Sequence, residues 1–174
     1  MTAPTLTTDR LTLRPPNSSD LASYQAFYAV SDTVVGKYRA RTSLSEIQTI
    51  LKGDIAHWTK GFGMWLITVT GDDTVIGGAG LVHPDNWPRH ELTWWLMPDH
   101  RGQGYATEAS HAVIDHGYNT LGWLQVETHM RDENLPARRL AQRLGGTFLQ
   151  RGQFPDGVER DIFVLPRLET EVNS

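Results

Sequence analysis

Arg101-Gly102-Gln103-Gly104-Tyr105-Ala106 sets two glycines between an apolar run with strand character, 92–96, and a helix-like run over 106–118. A strand that turns through glycines into a helix start can hold an anion. The first helical turn leaves backbone N–H groups without intrahelical partners, and the aligned peptide dipoles make that end positive. Glycine lets the main chain approach a phosphate where a Cβ would collide. The chemistry suggested is binding of a phosphate-bearing ligand, with Arg101 placed to pair with its charge.

The surrounding elements must place that turn. Leu11-Thr12-Leu13 alternates as a strand within 5–14 and stops at Pro15-Pro16. Ser18-Ser19-Asp20 is an N-cap cluster for a helix carrying Leu21, Tyr24, Phe27 and Tyr28. A second helix is predicted over 43–58, closed by Gly61 and Gly63. Strands follow over 64–70, with Trp65, Ile67 and Val69 on one face, and over 75–82, as a hairpin around Gly71-Asp72-Asp73. A loop over 83–89 leads to a third strand over 91–97 and then to the glycine turn. Beyond it the pattern predicts a strand over 123–129, with Leu124, Val126 and Thr128 on one face, and a short helix over 134–144 ended by Gly145-Gly146. A final hairpin joins 147–150 to 161–165 around Pro155-Asp156-Gly157, and the tail 169–174 is expected to fray. Consecutive central strands favour antiparallel pairing, so the expected architecture is α/β of the α+β type, a mixed, mostly antiparallel sheet with helices on its faces. No repeat or linker divides the chain, and 1–168 reads as one domain.

Composition narrows the chemistry. With no cysteine among 174 residues, disulfides, thiolate metal sites and a covalent cysteine intermediate are excluded. A net charge of −4 without a Lys/Arg-rich run disfavours nucleic acid as a partner. No apolar run reaches membrane-spanning length, and Met1-Thr2-Ala3-Pro4-Thr5 lacks the basic and apolar regions of a secretion signal, so a cytoplasmic protein is expected. The histidines show no metal spacing: His90-Glu91 has no second histidine four residues after the first, and His111 and His116 are five apart.

Two phosphate-binding patterns fail at the glycine turn. A P-loop needs Lys and Ser/Thr after the glycines, where Tyr105-Ala106 stand. A dinucleotide fingerprint needs a small residue at Thr107 for close helix packing and an acidic partner about twenty residues on, for which only Glu127 is available. What remains is the pattern Arg/Gln-x-x-Gly-x-Gly/Ala, and here the chain resembles the GNAT acetyltransferase superfamily, in its RimJ/RimL-like branch. Thr8-Asp9-Arg10-Leu11-Thr12-Leu13-Arg14 with Ser19-Asp20-Leu21 is similar to that branch's opening. The run from His90 to Pro98 is similar to its fourth strand, Arg101 to Ala109 to its pyrophosphate loop and helix start, and Asn134-Leu135-Pro136-Ala137 with Leu144-Gly145-Gly146 to its later helix.

The resemblance implies acetyl-CoA as donor and a primary amine as acceptor, either a protein N-terminal α-amine or a small molecule (polyamine, aminoglycoside, amino acid). Without a cysteine to carry acetyl, the amine would attack directly in a ternary complex, as monomer or homodimer. It implies that Trp94 and Leu96 offer main-chain groups to pantetheine, that Gly102, Gln103, Gly104, Tyr105, Ala106 and Thr107 hold the pyrophosphate, and that the strands at 91–97 and 123–129 splay to admit the donor. Asn134 stands where a helix N-cap is wanted and is also implied to contact pantetheine or substrate, two roles that are compatible. Glu91 is either the base that takes the amine proton through water or a strand-edge carboxylate, paired with Arg89 or hydrogen-bonded for structure. Ala137 departs from the family, where a serine hydroxyl often faces the departing thiolate; a non-catalytic acyl-CoA sensor is the alternative this leaves open. Trp94 and Trp95 face opposite sides of their strand, so at least one is core, and Trp87 is a candidate for the acceptor site.

Overall fold

The first turn is closed by Thr8, whose hydroxyl accepts from the Leu11 amide. It joins β1 (Leu6–Thr7) to β2 (Leu11–Arg14) in an antiparallel pair. The computed structural model describes residues 3–31 and 38–168, so the expectation of a frayed tail over 169–174 falls outside the described residues. From β2 the sheet continues antiparallel through β3 (Met64–Val69), β4 (Val75–Val82) and β5 (Glu91–Leu96). A second sheet, in the order β6-β8-β7, is built from β6 (Val126–Met130), β7 (Thr147–Gln153) and β8 (Glu159–Leu165). The α-helices among the described residues are α1 (Leu21–Val30), α2 (Leu44–His57), α3 (Tyr105–Asp115) and α4 (Leu135–Arg143).

Helices cover both faces of the larger sheet, so its central strands are apolar on both sides. Trp65, Ile67, Leu81 and Leu92 meet Ala109, Val113 and Ile114 of α3 on one face. On the other, Met64, Leu66, Val82 and Trp95 meet Tyr24, Phe27, Ile47 and Leu51 of α1 and α2. Trp95 lies flat only because β4 carries glycine there: a Cβ on Gly78 would come within 2.4 Å of its indole nitrogen. Trp95 is thus core, and Trp94 is half-buried against the opposite cluster.

Three elements differ from the sequence expectation in their boundaries. The helix after the glycine turn begins at Tyr105 rather than Ala106, because Gly104 occupies the cap position with φ +81°. Its regular part ends at Asp115, and His116–Thr120 continue as a wider π turn that brings Tyr118 into the core. The strand expected from 123 starts at Val126: Trp123 donates its amide to Gly117 across the Gly122 turn, and Leu124 points into solvent at 97% exposure. The last hairpin is longer than expected, pairing Thr147–Gln153 with Glu159–Leu165; Arg151 bridges to Glu159 and Asp161 across it and to Asp132 in the β6–α4 connection.

Candidate active site

The two sheets meet at β5 and β6. The Leu92 carbonyl accepts from the Thr128 hydroxyl at 3.0 Å, and His90 Nε2 accepts from the Glu127 amide at 3.1 Å. These contacts advance in the same direction along both strands, so β5 and β6 run parallel with α3 as the crossover. The contacts joining them are made at His90, Glu91 and Leu92, and the two strands belong to separate hydrogen-bonded sheets. Trp94 and Leu96 lie farther along β5, on the way to the glycine turn.

At that turn Gly102 and Gly104 have φ of +78° and +81°, while no non-glycine residue has positive φ among those described. Alternating the backbone hand across Gly102, Gln103 and Gly104 turns successive N–H groups toward one side, forming an anion nest. The first intrahelical bond runs from the Glu108 amide to the Gly104 carbonyl, so the amides of Tyr105, Ala106 and Thr107 precede the helical ladder. A Cβ on Gly102 would meet nothing within 4 Å, so its positive φ rather than crowding calls for glycine there. Arg101 turns back instead, donating through Nη2 to the Leu96 carbonyl at 3.1 Å.

A strut not foreseen from the sequence braces this loop. Arg10, in the β1–β2 turn, donates through Nε to Glu108 at 2.7 Å and through Nη1 to the Gln103 carbonyl at 2.9 Å. Its guanidinium also lies 4.6 Å from the centre of the Tyr105 ring. Burial pushes the Glu108 carboxyl up, but hydrogen bonds from Thr8 and Arg10 outweigh it and hold the carboxyl below its ordinary range. Ninety-eight residues separate Arg10 from Glu108, so no local pattern could have linked them.

Asn134 caps α4, its side-chain oxygen accepting from the Ala137 amide at 3.3 Å, with Pro136 in the first turn. Ala137 packs toward Met130, Ala141 and Phe163. The Tyr118 hydroxyl donates to the Leu165 carbonyl and accepts from the Val126 amide, so it serves the fold.

Glu91 does not pair with Arg89. Arg89 instead holds Glu127 with two bonds of 2.7 and 2.9 Å. Burial pushes the Glu127 carboxyl up, but the bonds from Arg89 and Gln125 bring it net below its ordinary range. Burial pushes the neighbouring His90 imidazole down, toward neutrality. Glu91 faces His129 of β6, with Oε2 3.0 Å from Nδ1. The His129 ring lies 4.4 Å from Phe154, which in turn lies 5.4 Å from Trp87. Trp87 and Phe154 line a cleft of about 490 Å³ between the β4–β5 loop and the β7–β8 hairpin, together with Asp85, Asn86, Pro88, Gln153 and Pro155. His129 was also missed from sequence; its alternation on β6 marks a face, but only the packing of β5 beside β6 gives it a partner.

Residues 10–147 match the acetyltransferase (GNAT) domain family. The chain belongs to that family. Among relatives, it is 30% identical to the uncharacterised N-acetyltransferase p20 of Bacillus licheniformis over 181 residues, covering 96% of this chain and 97% of the relative. A crystal structure of an acetyltransferase from Agrobacterium tumefaciens superposes with a TM-score of 0.83 at 30% identity, covering 95% and 96% of the two chains. The ribosomal-protein α-N-acetyltransferase RimL, solved in complex with coenzyme A, shares the fold with a TM-score of 0.74 at 18% identity, covering 92% and 97%.

This GNAT protein is an acetyl-CoA-dependent N-acetyltransferase. Its glycine turn and the leading amides of α3 offer the donors that a pyrophosphate calls for, and β5 and β6 belong to separate hydrogen-bonded sheets. Acetyl-CoA supplies a thioester carbonyl for the amine to attack. Among the described residues, no helix is long and apolar enough to cross a membrane, and no three His, Cys, Asp or Glu side chains group as metal ligands.

Proposed function

We propose that this GNAT enzyme acetylates the α-amino group of a peptide or protein chain, which enters through the cleft between the β4–β5 loop and the β7–β8 hairpin. The observation that carries this reading is the cleft's form. Five of its seven lining residues are exposed, and its walls are Trp87, Pro88, Phe154 and Pro155 rather than buried polar groups. An open trough with apolar walls accommodates an extended chain end, whereas recognition of a small polar amine calls for an enclosed site with placed hydrogen-bond partners.

The proposed proton acceptor is Glu91, whose neighbour His129 packs on Phe154 of the cleft wall. One carboxylate suffices for an α-amine, whose pKa near 8 leaves about a tenth of it neutral at pH 7; a lysine-like amine near 10.4 would cost over ~4 kcal/mol to deprotonate. In the same reading, β5 amides near Trp94 and Leu96 polarise the thioester carbonyl. The loop from Arg101 to Thr107, with Asn134, fixes the donor's position. Thiol release from acetyl-CoA tests the acceptor directly. Peptides with free N-termini are expected to give far higher kcat/KM than the same peptides with blocked N-termini, and than polyamines, aminoglycosides or free amino acids. A preference for any of those small amines over every free-ended peptide overturns the proposal.

A further inference from the structure

We infer that His129 is a positioning residue for Glu91, donating its Nδ1–H to the carboxylate so that it stays ionised and turned toward the acceptor amine. This rests on the reading of Glu91 as the base. The His129 side chain is 1% exposed, and neither ring nitrogen has a hydrogen-bond partner among the described residues. Leaving such a group unsatisfied costs about 1–3 kcal/mol, which a phenylalanine stacked on Phe154 would avoid. Buried polar groups without partners mark places where the fold accepts a cost for function.

Geometry names the function. Nδ1 stands 3.0 Å from Glu91 Oε2, within ion-pair distance but not aligned for a hydrogen bond. Catalytic pairs are commonly misaligned before substrate binds and tighten in the reacting complex. The contact also bridges β5 and β6 beside Leu92 and Thr128, where the two sheets meet. A hydrogen bond to the carboxylate stabilises its charged form, so it lowers the pH at which the base is lost.

Among the described residues, the other titratable groups around the pair are held by partners of their own or pushed toward neutrality. Tyr38 bonds Thr93, and burial, with the charges of Asp54 and Glu91, pushes its hydroxyl far up, so it stays neutral. His90 is pushed toward neutrality by burial and sits beside the Arg89–Glu127 pair, with His83 also in its field. From the other side, Asp161 is tied to Arg138 and Arg151, and Arg160 lies over Phe154.

In the reaction the amine loses one proton to Glu91 and forms the C–N bond, while the C–S bond breaks with its electron pair going to sulfur. Of the two protons the ammonium nitrogen sheds, one ends on the thiol and the other in solvent. The test compares pH profiles of kcat for Glu91→Gln, His129→Phe and His129→Asn, whose amide can replace the Nδ1 donor. Glu91→Gln is expected to lose about 100-fold or more in kcat and its acid limb. His129→Phe is expected to lose about tenfold in kcat, the loss of one hydrogen bond to a charged group, with the acid limb moved to higher pH and the acetyl-CoA KM within twofold. His129→Asn should restore the limb. Full activity in Glu91→Gln overturns the base assignment and this inference with it. Loss in Glu91→Gln with rate and limb intact in His129→Phe overturns the role of His129 alone. Should His129→Phe fail to fold, the imidazole NMR signals decide: a protonated Nδ1 in the parent that loses its downfield shift in Glu91→Gln supports the pair, and an unchanged signal refutes it.

Discussion

Replacing Arg10 by methionine keeps the aliphatic stem and removes the guanidinium that braces the glycine loop. The backbone amide of Arg10 and the Thr8 hydroxyl still reach Glu108, so that carboxylate keeps two donors. Three interactions go. The Arg10–Glu108 pair is 46% and 20% exposed, so solvent screening limits it to about 0.5 kcal/mol. The bond to the Gln103 carbonyl contributes about 1 kcal/mol, and the stack over Tyr105 about 0.5 kcal/mol at this exposure. The sum of about 2 kcal/mol is a ceiling, because the three share one side chain and do not add independently. All three act on the loop and the first residue of α3 rather than on the core. The loss should therefore fall on donor affinity, about five- to tenfold in acetyl-CoA KM with a ceiling of about 30-fold, and with kcat within about twofold. Thiol release measured against acetyl-CoA at saturating acceptor gives both constants. An acetyl-CoA KM within twofold of the parent, or a loss confined to kcat, would refute the strut.

Two further outcomes follow from the same structure. Gly104→Ala and Gly61→Ala each force a side chain into left-handed backbone, φ +81° and +88°, at a cost of about 1–2 kcal/mol; both should lower Tm by a few degrees in calorimetry, but only Gly104→Ala should also raise the acetyl-CoA KM. On the acid side, burial pushes the Asp20 carboxyl up, but hydrogen bonds from Arg14 and the Asn17 amide leave it net lowered, so its folded pKa lies below its unfolded one. That contribution is complete above the unfolded value near 4 and is lost as pH falls through the folded value. Glu127 with Arg89 acts in the same direction. Urea unfolding from pH 7 to 2 should show stability declining below about pH 4, and Arg14→Met should lower the plateau by about 2 kcal/mol and flatten the decline; a decline as steep as the parent's would clear the Arg14–Asp20 pair of responsibility.

The local signals in the sequence were those with short range. Two glycines after an apolar strand announce backbone of positive φ leading into a helix, and the structure has φ of +78° and +81° there. Alternation at Leu11 and Leu13, and at Trp65 and Ile67, announced buried strand faces, because a pleated strand repeats every two residues. Where a turn intervened, the pattern misled: Leu124 fits the period of Val126 and Thr128 yet stands in solvent, since Gly122 and the Trp123 amide bond delay the strand. The role of Arg89 misled as well. Its nearness in sequence to Glu91 suggested a pair, but the partner brought alongside by the crossover is Glu127.

What the sequence by itself determined is the donor's phosphate loop and, through the resemblance carried by four segments, the family. Both rest on contiguous residues, whose geometry is dictated by backbone preference and helix ends. The tertiary structure alone decided which distant side chains meet: Arg10 with Glu108 and Gln103, Glu91 with His129, and Trp87 with Phe154 across the cleft. The physical reason is that these pairs come from strands and loops far apart in the chain. Only the burial of both faces of the sheet fixes their register, and no local periodicity encodes it.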